Sequence, residues 1–222
     1  MENTTISVTG RGVVHLTPDV MRIDVSIRRV FKDYAAAYEA AKGNNNMLTK
    51  ILAYNKIDTQ KGKTVKIDIE DHHKSVYDKY GKYVGSELDG YELEQCLRVD
   101  IGLDKELANN LIKGIGKYIF GAQISLGYTL RDLRPAQLKI LERAVKDAKE
   151  KATIMASALG CSLGNVQEIQ YGVHDIHIFA ETRNYHNNDE AKASTSESLD
   201  ITPEDLSLAD DVKVSWFICN SY

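Results

Sequence analysis

The sequence predicts an α+β protein built of two intertwined two-layer α/β subdomains, with mainly antiparallel sheets and one long helix, and three observations carry that prediction. Between Val20 and Leu130 the apolar pattern changes period in the order strand, helix, strand, strand, helix, strand, the ferredoxin-like βαββαβ arrangement. From Pro135 to Leu159 the residues Leu138, Leu141, Val145, Ala148, Ala152, Met155 and Leu159 recur at alternating steps of three and four, a single apolar stripe on one helix. The strands before Val20 and after Leu159 are left to cover that stripe. The chain therefore divides into a ferredoxin-like subdomain over 20–131 and a second α/β subdomain formed by 1–19 and 132–222, which contains the long helix at 135–159.

In chain order, Ile6, Val8, Gly10, Gly12 and Val14 alternate with Ser7, Thr9, Arg11 and Val13, and Thr17-Pro18-Asp19 leads to Met21, Ile23, Val25 and Ile27 alternating with polar residues. This predicts a β-hairpin, with the two glycines marking a bulge or a close backbone approach. Asp33 caps a helix whose shared face is Tyr34, Tyr38, Ala41, Leu48 and Leu52, with Gly43 and Asn44-Asn45-Asn46 interrupting its middle. Val65, Ile67 and Ile69 form a short strand, and Lys74 to Asp89 is a polar, tyrosine-bearing connection. In the next strand Tyr91, Leu93, Leu97, Val99, Ile101 and Leu103 face the core, while Glu92, Glu94, Cys96, Arg98 and Asp100 face water. Asp104 caps a helix bearing Leu107, Leu111, Ile112, Ile115 and Ile119, followed by a strand through Ala122, Ile124, Leu126 and Tyr128. The long helix, about 37 Å at 1.5 Å per residue, packs across a sheet, with Pro135 in its first turn and Gly160 at its stop. Val166 to Val173 is a strand, 180–205 a long or flexible polar insert, and Val212 to Ile218 a closing strand.

With 222 residues, 43% of them hydrophobic, the chain buries a full core without staples. A net charge of -4 with mixed signs provides no basic face, which argues against a nucleic-acid partner. Cys96, Cys161 and Cys219 lack CxxC spacing, so free thiols are expected. No run approaches the roughly 20 apolar residues of a transmembrane segment, and the polar start Met1-Glu2-Asn3-Thr4 reads as a cytoplasmic protein. The alternative is a periplasmic or exported protein from which a signal peptide has been removed.

Several motifs carry possible chemistry. Gly160-Cys161-Ser162-Leu163-Gly164 spells the nucleophile elbow of α/β-hydrolases, but an elbow needs a strand running into a helix, and here a helix runs into a strand. Gly62-Lys63-Thr64 resembles the end of a phosphate-binding loop, yet it enters a strand, which has no helical amides to hold a phosphate. His72-His73 and the segment 172–190, with His174, His177, His186, Asp189 and Glu190, are the candidates for a metal or an acid-base centre. Residues three apart on a strand point to opposite faces, so His174 and His177 share a metal only in irregular backbone. Tyr77, Tyr80, Tyr83 and Tyr91, accompanied by Lys74, Lys79 and Lys82, form an aromatic loop better suited to packing or a partner than to base stacking. No residue is assigned a catalytic, cofactor-binding or metal-ligating role.

Taken in order, Ile6-Ser-Val-Thr-Gly-Arg-Gly with Pro18-Asp19, Gly90-Tyr91 opening a strand, Ala144-Val-Lys-Asp-Ala-Lys-Glu-Lys-Ala152 and Ala158-Leu-Gly-Cys-Ser-Leu-Gly-Asn-Val166 resemble the SIMPL domain family across nearly the whole chain. That family includes bacterial envelope proteins and an animal kinase-associated signalling protein. The resemblance implies an α+β fold, homo-oligomeric assembly in at least some members, and roles in stress defence or protein interaction without an established reaction. The leading expectation is a non-enzymatic protein that associates with itself as at least a dimer, burying more than about 1,000 Å². The rival is a hydrolase or metal-dependent enzyme using 172–190.

Overall fold

The computed structural model describes residues 4–172 and 205–220. Its elements are β1 (Thr5–Leu16), β2 (Val20–Phe31), α1 (Tyr34–Tyr54), a 3₁₀ turn (Thr59–Lys61), β3 (Gly62–Tyr77), β4 (Tyr83–Ile101), α2 (Lys105–Tyr118), β5 (Ala122–Thr129), α3 (Arg134–Ala158), β6 (Cys161–Gln170) and β7 (Leu206–Asn220). They form an α+β fold of two compact units, one made of 19–128 and the other, interrupted in sequence by the first, of 4–18, 129–172 and 205–220.

In the unit of 19–128 the four-stranded sheet has the order β3-β4-β2-β5, that of a ferredoxin-like βαββαβ arrangement. The alternation expected for β2 and β4 places Met21, Ile23, Val25, Ile27, Leu97, Val99 and Ile101 in one buried cluster with Leu48, Ile51 and Leu52 of α1 and Leu111 and Ile115 of α2. Both helices start where their caps predict: Asp33 accepts from the Ala36 N–H at 2.8 Å and Asp104 from the Leu107 N–H at 3.0 Å.

α1 differs from expectation in two ways. It runs through Gly43 and the asparagines without a break. The reason is Gln95, fully buried on β4, which accepts from Asn44 at 2.8 Å and donates to the Ala41 carbonyl and to Asn45 Oδ1, both at 3.1 Å. Engaged in this way, the Asn side chains support the helix instead of competing with its backbone. Tyr34 and Tyr38 are exposed, and the packed face of the first half is Ala37 and Ala41, small enough to bring α1 against Leu93.

Lys74 to Asp89 is no irregular connection. β3 and β4 pair from Gly62↔Val99 to Tyr77↔Tyr83, a long antiparallel ribbon with register shifts at Thr64/Lys66, His72/His73 and Val76/Tyr77. Val65 and Ile67, expected as core residues, are about half exposed on this edge strand.

In the other unit the sheet order is β1-β7-β6. The expected β1–β2 hairpin does not form: β1 pairs with β7 over its whole length, from Thr5↔Phe217 to Leu16↔Leu206, while β2 pairs with β4. The Thr17-Pro18-Asp19 segment thus passes from one sheet to another. Thr17 is held by a 2.9 Å hydrogen bond to Asp205, at the entry to β7.

The long helix is present, but its predicted stripe is not the face it buries. The buried row is Ala136, Ile140, Ala144, Ala148, Ala152 and Ala156, spaced by four. Of the predicted stripe only Ala148 and Ala152, where the two rows cross, are fully covered, and Leu138, Val145, Met155 and Leu159 are exposed. The cause lies on β1: a Cβ on Gly10 would overlap the Ala144 carbonyl oxygen and the Ala148 nitrogen, and one on Gly12 the Ile140 carbonyl oxygen. Glycine on the strand and alanine on the helix bring the two backbones together, so the small row wins the sheet and the large one is displaced to the flank.

This close approach also closes a sheet edge. Lys151 Nζ lies 3.4 Å from the Thr9 carbonyl, Asp147 accepts from the Arg11 N–H at 2.7 Å, and Arg143 donates to the Val13 carbonyl. Three side chains at steps of four on α3 occupy three outward backbone groups in the middle of β1, which hinders pairing with another strand there. Trp216 is buried against Val8, Val212, Val214 and the α3 alanines, while Phe217 is only partly covered.

Candidate functional site

The sequence motifs do not assemble into a catalytic group among the described residues. Gly160, with φ +70°, ends α3, and Ser162 lies in β6, where its Oγ is 3.4 Å from the Cys219 carbonyl. Helix precedes strand here, the reverse of an elbow. Lys63 and Thr64 open β3 rather than a helix, and Thr64 Oγ1 donates to Asn45 at 3.2 Å. His72 and His73 are consecutive on β3, at a register shift in its pairing with β4. Of the segment 172–190 only Gly172 is among the described residues, so His174, His177, His186, Asp189 and Glu190 lie outside them. Among the described residues no three His, Cys, Asp or Glu side chains gather into a possible metal site, and Cys96, Cys161 and Cys219 form no disulfide with one another. Among the described residues, shallow depressions include one of about 290 Å³ beside Tyr54, Lys56, Asp104 and Glu106 and one of about 200 Å³ beside Arg11, Asp210 and Asp211. Neither is lined by Ser, Cys or His.

The structure instead presents three surfaces. The first is the outer face of the four-stranded sheet, where cross-strand register turns alternation into ion pairs. Arg22 forks onto Asp100 with both contacts at 2.8 Å, Arg98 onto Asp24 with the shorter at 2.6 Å, and Arg28 onto Glu92 at 2.7 and 2.8 Å. Lys66 reaches Glu94 at 2.6 Å. The Arg28 hydrogen bond holds the Glu92 carboxyl below its ordinary pKa, and the Glu94 bond raises that of Lys66. These cross-strand pairs each bring one positive and one negative charge together, so the face is polar and of mixed sign.

The second is the distal half of the β3–β4 ribbon. β2 ends at Phe31, opposite Tyr91, so the residues of β4 from Tyr83 to Gly90 pair only with β3. At about 3.3 Å per residue the two-stranded part extends roughly 26 Å. A built turn closes it: Asp78 Oδ1 accepts from the Tyr80 and Lys82 amides at 2.8 and 2.9 Å, the Asp78 amide donates to the Lys82 carbonyl at 2.9 Å, and Gly81 takes φ +79°. The turn leaves Tyr80 81% exposed, with Tyr77, Tyr83 and Val84 more than half exposed. The Tyr77 and Tyr83 rings meet edge to face at 6.0 Å, and Lys79 Nζ sits 4.9 Å over the Tyr80 ring. Below them Lys74 bridges Glu87 and Asp89, each at 3.0 Å.

The third is the uncovered part of α3, where Leu138 (57% exposed), Met155 (49%) and Leu159 (70%), together with Val145 and Ile154, lie on both sides of the buried alanine row. Sequence reasoning found both the stripe and the tyrosines but assigned the first to the core and the second to a loop. Asp78 followed by Gly81 was the available signal for a tight turn between two strands.

Known proteins are similar to this chain in sequence. The SIMPL family, described as a protein of unknown function (DUF541), matches residues 6–216. The 26 kDa periplasmic immunogenic proteins of Brucella abortus (strain S19) and Brucella melitensis biotype 1 are each 31% identical over 175 residues. Those residues cover 74% of this chain and 65% of each relative, less than two thirds of the relatives' length.

Proposed function

This chain belongs to the SIMPL family, and from that premise we infer that it is a non-enzymatic, self-associating protein that serves protein interaction or stress defence outside the cytoplasm. The periplasmic relatives support the compartment. No helix among the described residues is long and apolar enough to cross a membrane. The subdomain of 1–19 and 132–222 is the associating part, and 20–131 forms the ferredoxin-like subdomain.

The observation that carries the reading is the exposed large apolar row on α3. Leu138 and Leu159 are separated by about 31 Å of helix, and the exposed residues between them lie on both sides of the buried row. Water-exposed leucine, valine, isoleucine and methionine along one helix are side chains of the kind that a partner copy covers. The mixed charges between them, Glu142 with Lys146 at 2.6 Å and Asp147 with Lys151 at 2.7 Å, suit the polar rim of such an interface. Light scattering on the eluted protein at micromolar concentration is expected to give at least twice the 24.8 kDa chain mass. Leu138→Glu combined with Leu159→Glu is expected to lower it to one chain. A wild-type mass of one chain across that concentration range overturns the reading.

A further inference from the structure

We propose that the tip of the β3–β4 ribbon is a membrane-surface anchor, seating Tyr77, Tyr80 and Tyr83 among the headgroups of an anionic bilayer with Lys79 and Lys82 against the lipid phosphates. The surface is separate from the α3 flank, and the inference does not depend on self-association.

Shape is the first argument. The tip is convex and two strands wide, and only the ribbon's own two strands pair there. A tyrosine buries about 150–250 Å² when wholly covered. Three that are already 60%, 81% and 56% exposed therefore offer roughly 400 Å², about half of the 800 Å² that each partner contributes to a stable protein interface. A bilayer needs no complementary cavity, because its headgroups part around a wedge.

Composition is the second. The exposed aromatics are all tyrosine, an apolar ring with a wet hydroxyl, which is the side-chain type that settles at the membrane–water boundary. Phe, Trp, Leu, Ile and Met are absent from Val76–Ser86. Tyr77 and Tyr83 brace each other at the neck, and the Asp78 turn holds Tyr80 at the apex. The aromatic surface is therefore formed before any lipid arrives, and its ordering cost is met in folding.

Charge placement is the third. Asp78, the one acid at the tip, is turned onto the Tyr80 and Lys82 amides, and the next acids, Glu87 and Asp89, are held by Lys74 farther down the ribbon. Lys79 and Lys82 are exposed at the apex. In a chain of net charge -4 the basic groups thus lead and the acids trail, the order that lets an otherwise anionic protein approach a negative surface tip first.

The test is flotation of the full chain with vesicles of phosphatidylcholine alone and of phosphatidylcholine mixed with phosphatidylglycerol. The wild type is expected to float with the mixed vesicles, more weakly with the neutral ones, and less as salt is raised. Lys79→Gln and Lys82→Gln should each reduce the bound fraction about fivefold, and Tyr80→Ser should abolish flotation. Tyr54→Ser, at an 87% exposed tyrosine away from the tip, should leave it unchanged. Far-UV circular dichroism melts of all variants should overlay the wild type, since none of these side chains is in the core. Absence of flotation with mixed vesicles overturns the proposal, as does flotation of the Tyr80→Ser chain at the wild-type level. So does a tip variant that fails to float only because its mass in solution has fallen, which would assign the tip to contact between copies.

Discussion

Gly12→Ala tests the packing of α3 on β1 most directly. An ideal Cβ at Gly12 overlaps the Ile140 carbonyl oxygen and lies 2.8 Å from Ile140 C and 2.9 Å from Ala144 N. All three are backbone atoms of a helix, so no side chain can rotate aside. To restore ordinary contact the helix must withdraw by about 1 Å, and a gap of that size forfeits up to half the dispersion energy across the interface. Ala136, Ile140, Val14 and Leu208 share that interface as one cluster. With about 1.5 to 3 kcal/mol for each large apolar side chain buried, the loss comes to about 3 kcal/mol, at the upper end of overpacking penalties. The chain holds one tryptophan, Trp216, 4% exposed in the same unit, so its fluorescence during urea unfolding reports on this unit specifically. The matched control is Gly43→Ala in α1, where a Cβ meets nothing within 4 Å. It should stabilise its own unit by about 0.5 to 1 kcal/mol through helix propensity, read by circular dichroism. A Trp216 transition unmoved by Gly12→Ala would refute the view that glycine is what admits the alanine row.

Two further outcomes follow from the hydrogen bonds. Gln95→Ala removes three hydrogen-bonding contacts from a fully buried position, taking from Asn44 its Gln95 acceptor while Asn45 keeps Thr64, and it should cost about 1 to 3 kcal/mol in urea unfolding followed by circular dichroism. Asp147 is held below its ordinary value of 3.8, first by the Lys151 hydrogen bond and then by the Arg11 amide. A carboxyl depressed in the folded state contributes stability above its unfolded pKa and loses it as pH falls through the folded one. The Trp216 unfolding midpoint should therefore drop below about pH 3.8, and Asp147→Asn should flatten that part of the profile. Because Asp147 also covers the Arg11 amide on the edge of β1, light scattering at low pH should rise earlier in the Asn variant.

The identity of nearly every element was legible in the sequence, because period and capping are local. Alternation marked β2, β4 and β5, Asp33 and Asp104 marked their helices, and the element order from Val20 to Leu130 implied the β3-β4-β2-β5 sheet that the structure forms. The family was legible for a related reason: the Gly-Arg-Gly strand and the alanine-bearing helix are residues that meet. Pairing and burial were not legible, because they depend on what arrives from elsewhere in the chain. Alternation over Thr5–Leu16 states that a strand exists but cannot say that Phe217, rather than β2, lies opposite Thr5. The leucines of α3 made the stronger pattern by hydrophobicity, yet the sheet took the alanines, since at Gly10 and Gly12 only a small side chain lets the backbones close. Gln95 reads as polar and is buried, because three groups of α1 happen to satisfy it. The surfaces on which function is proposed exist for the same reason: Leu138, Leu159 and Tyr80 are conspicuous only once the tertiary structure has left them uncovered.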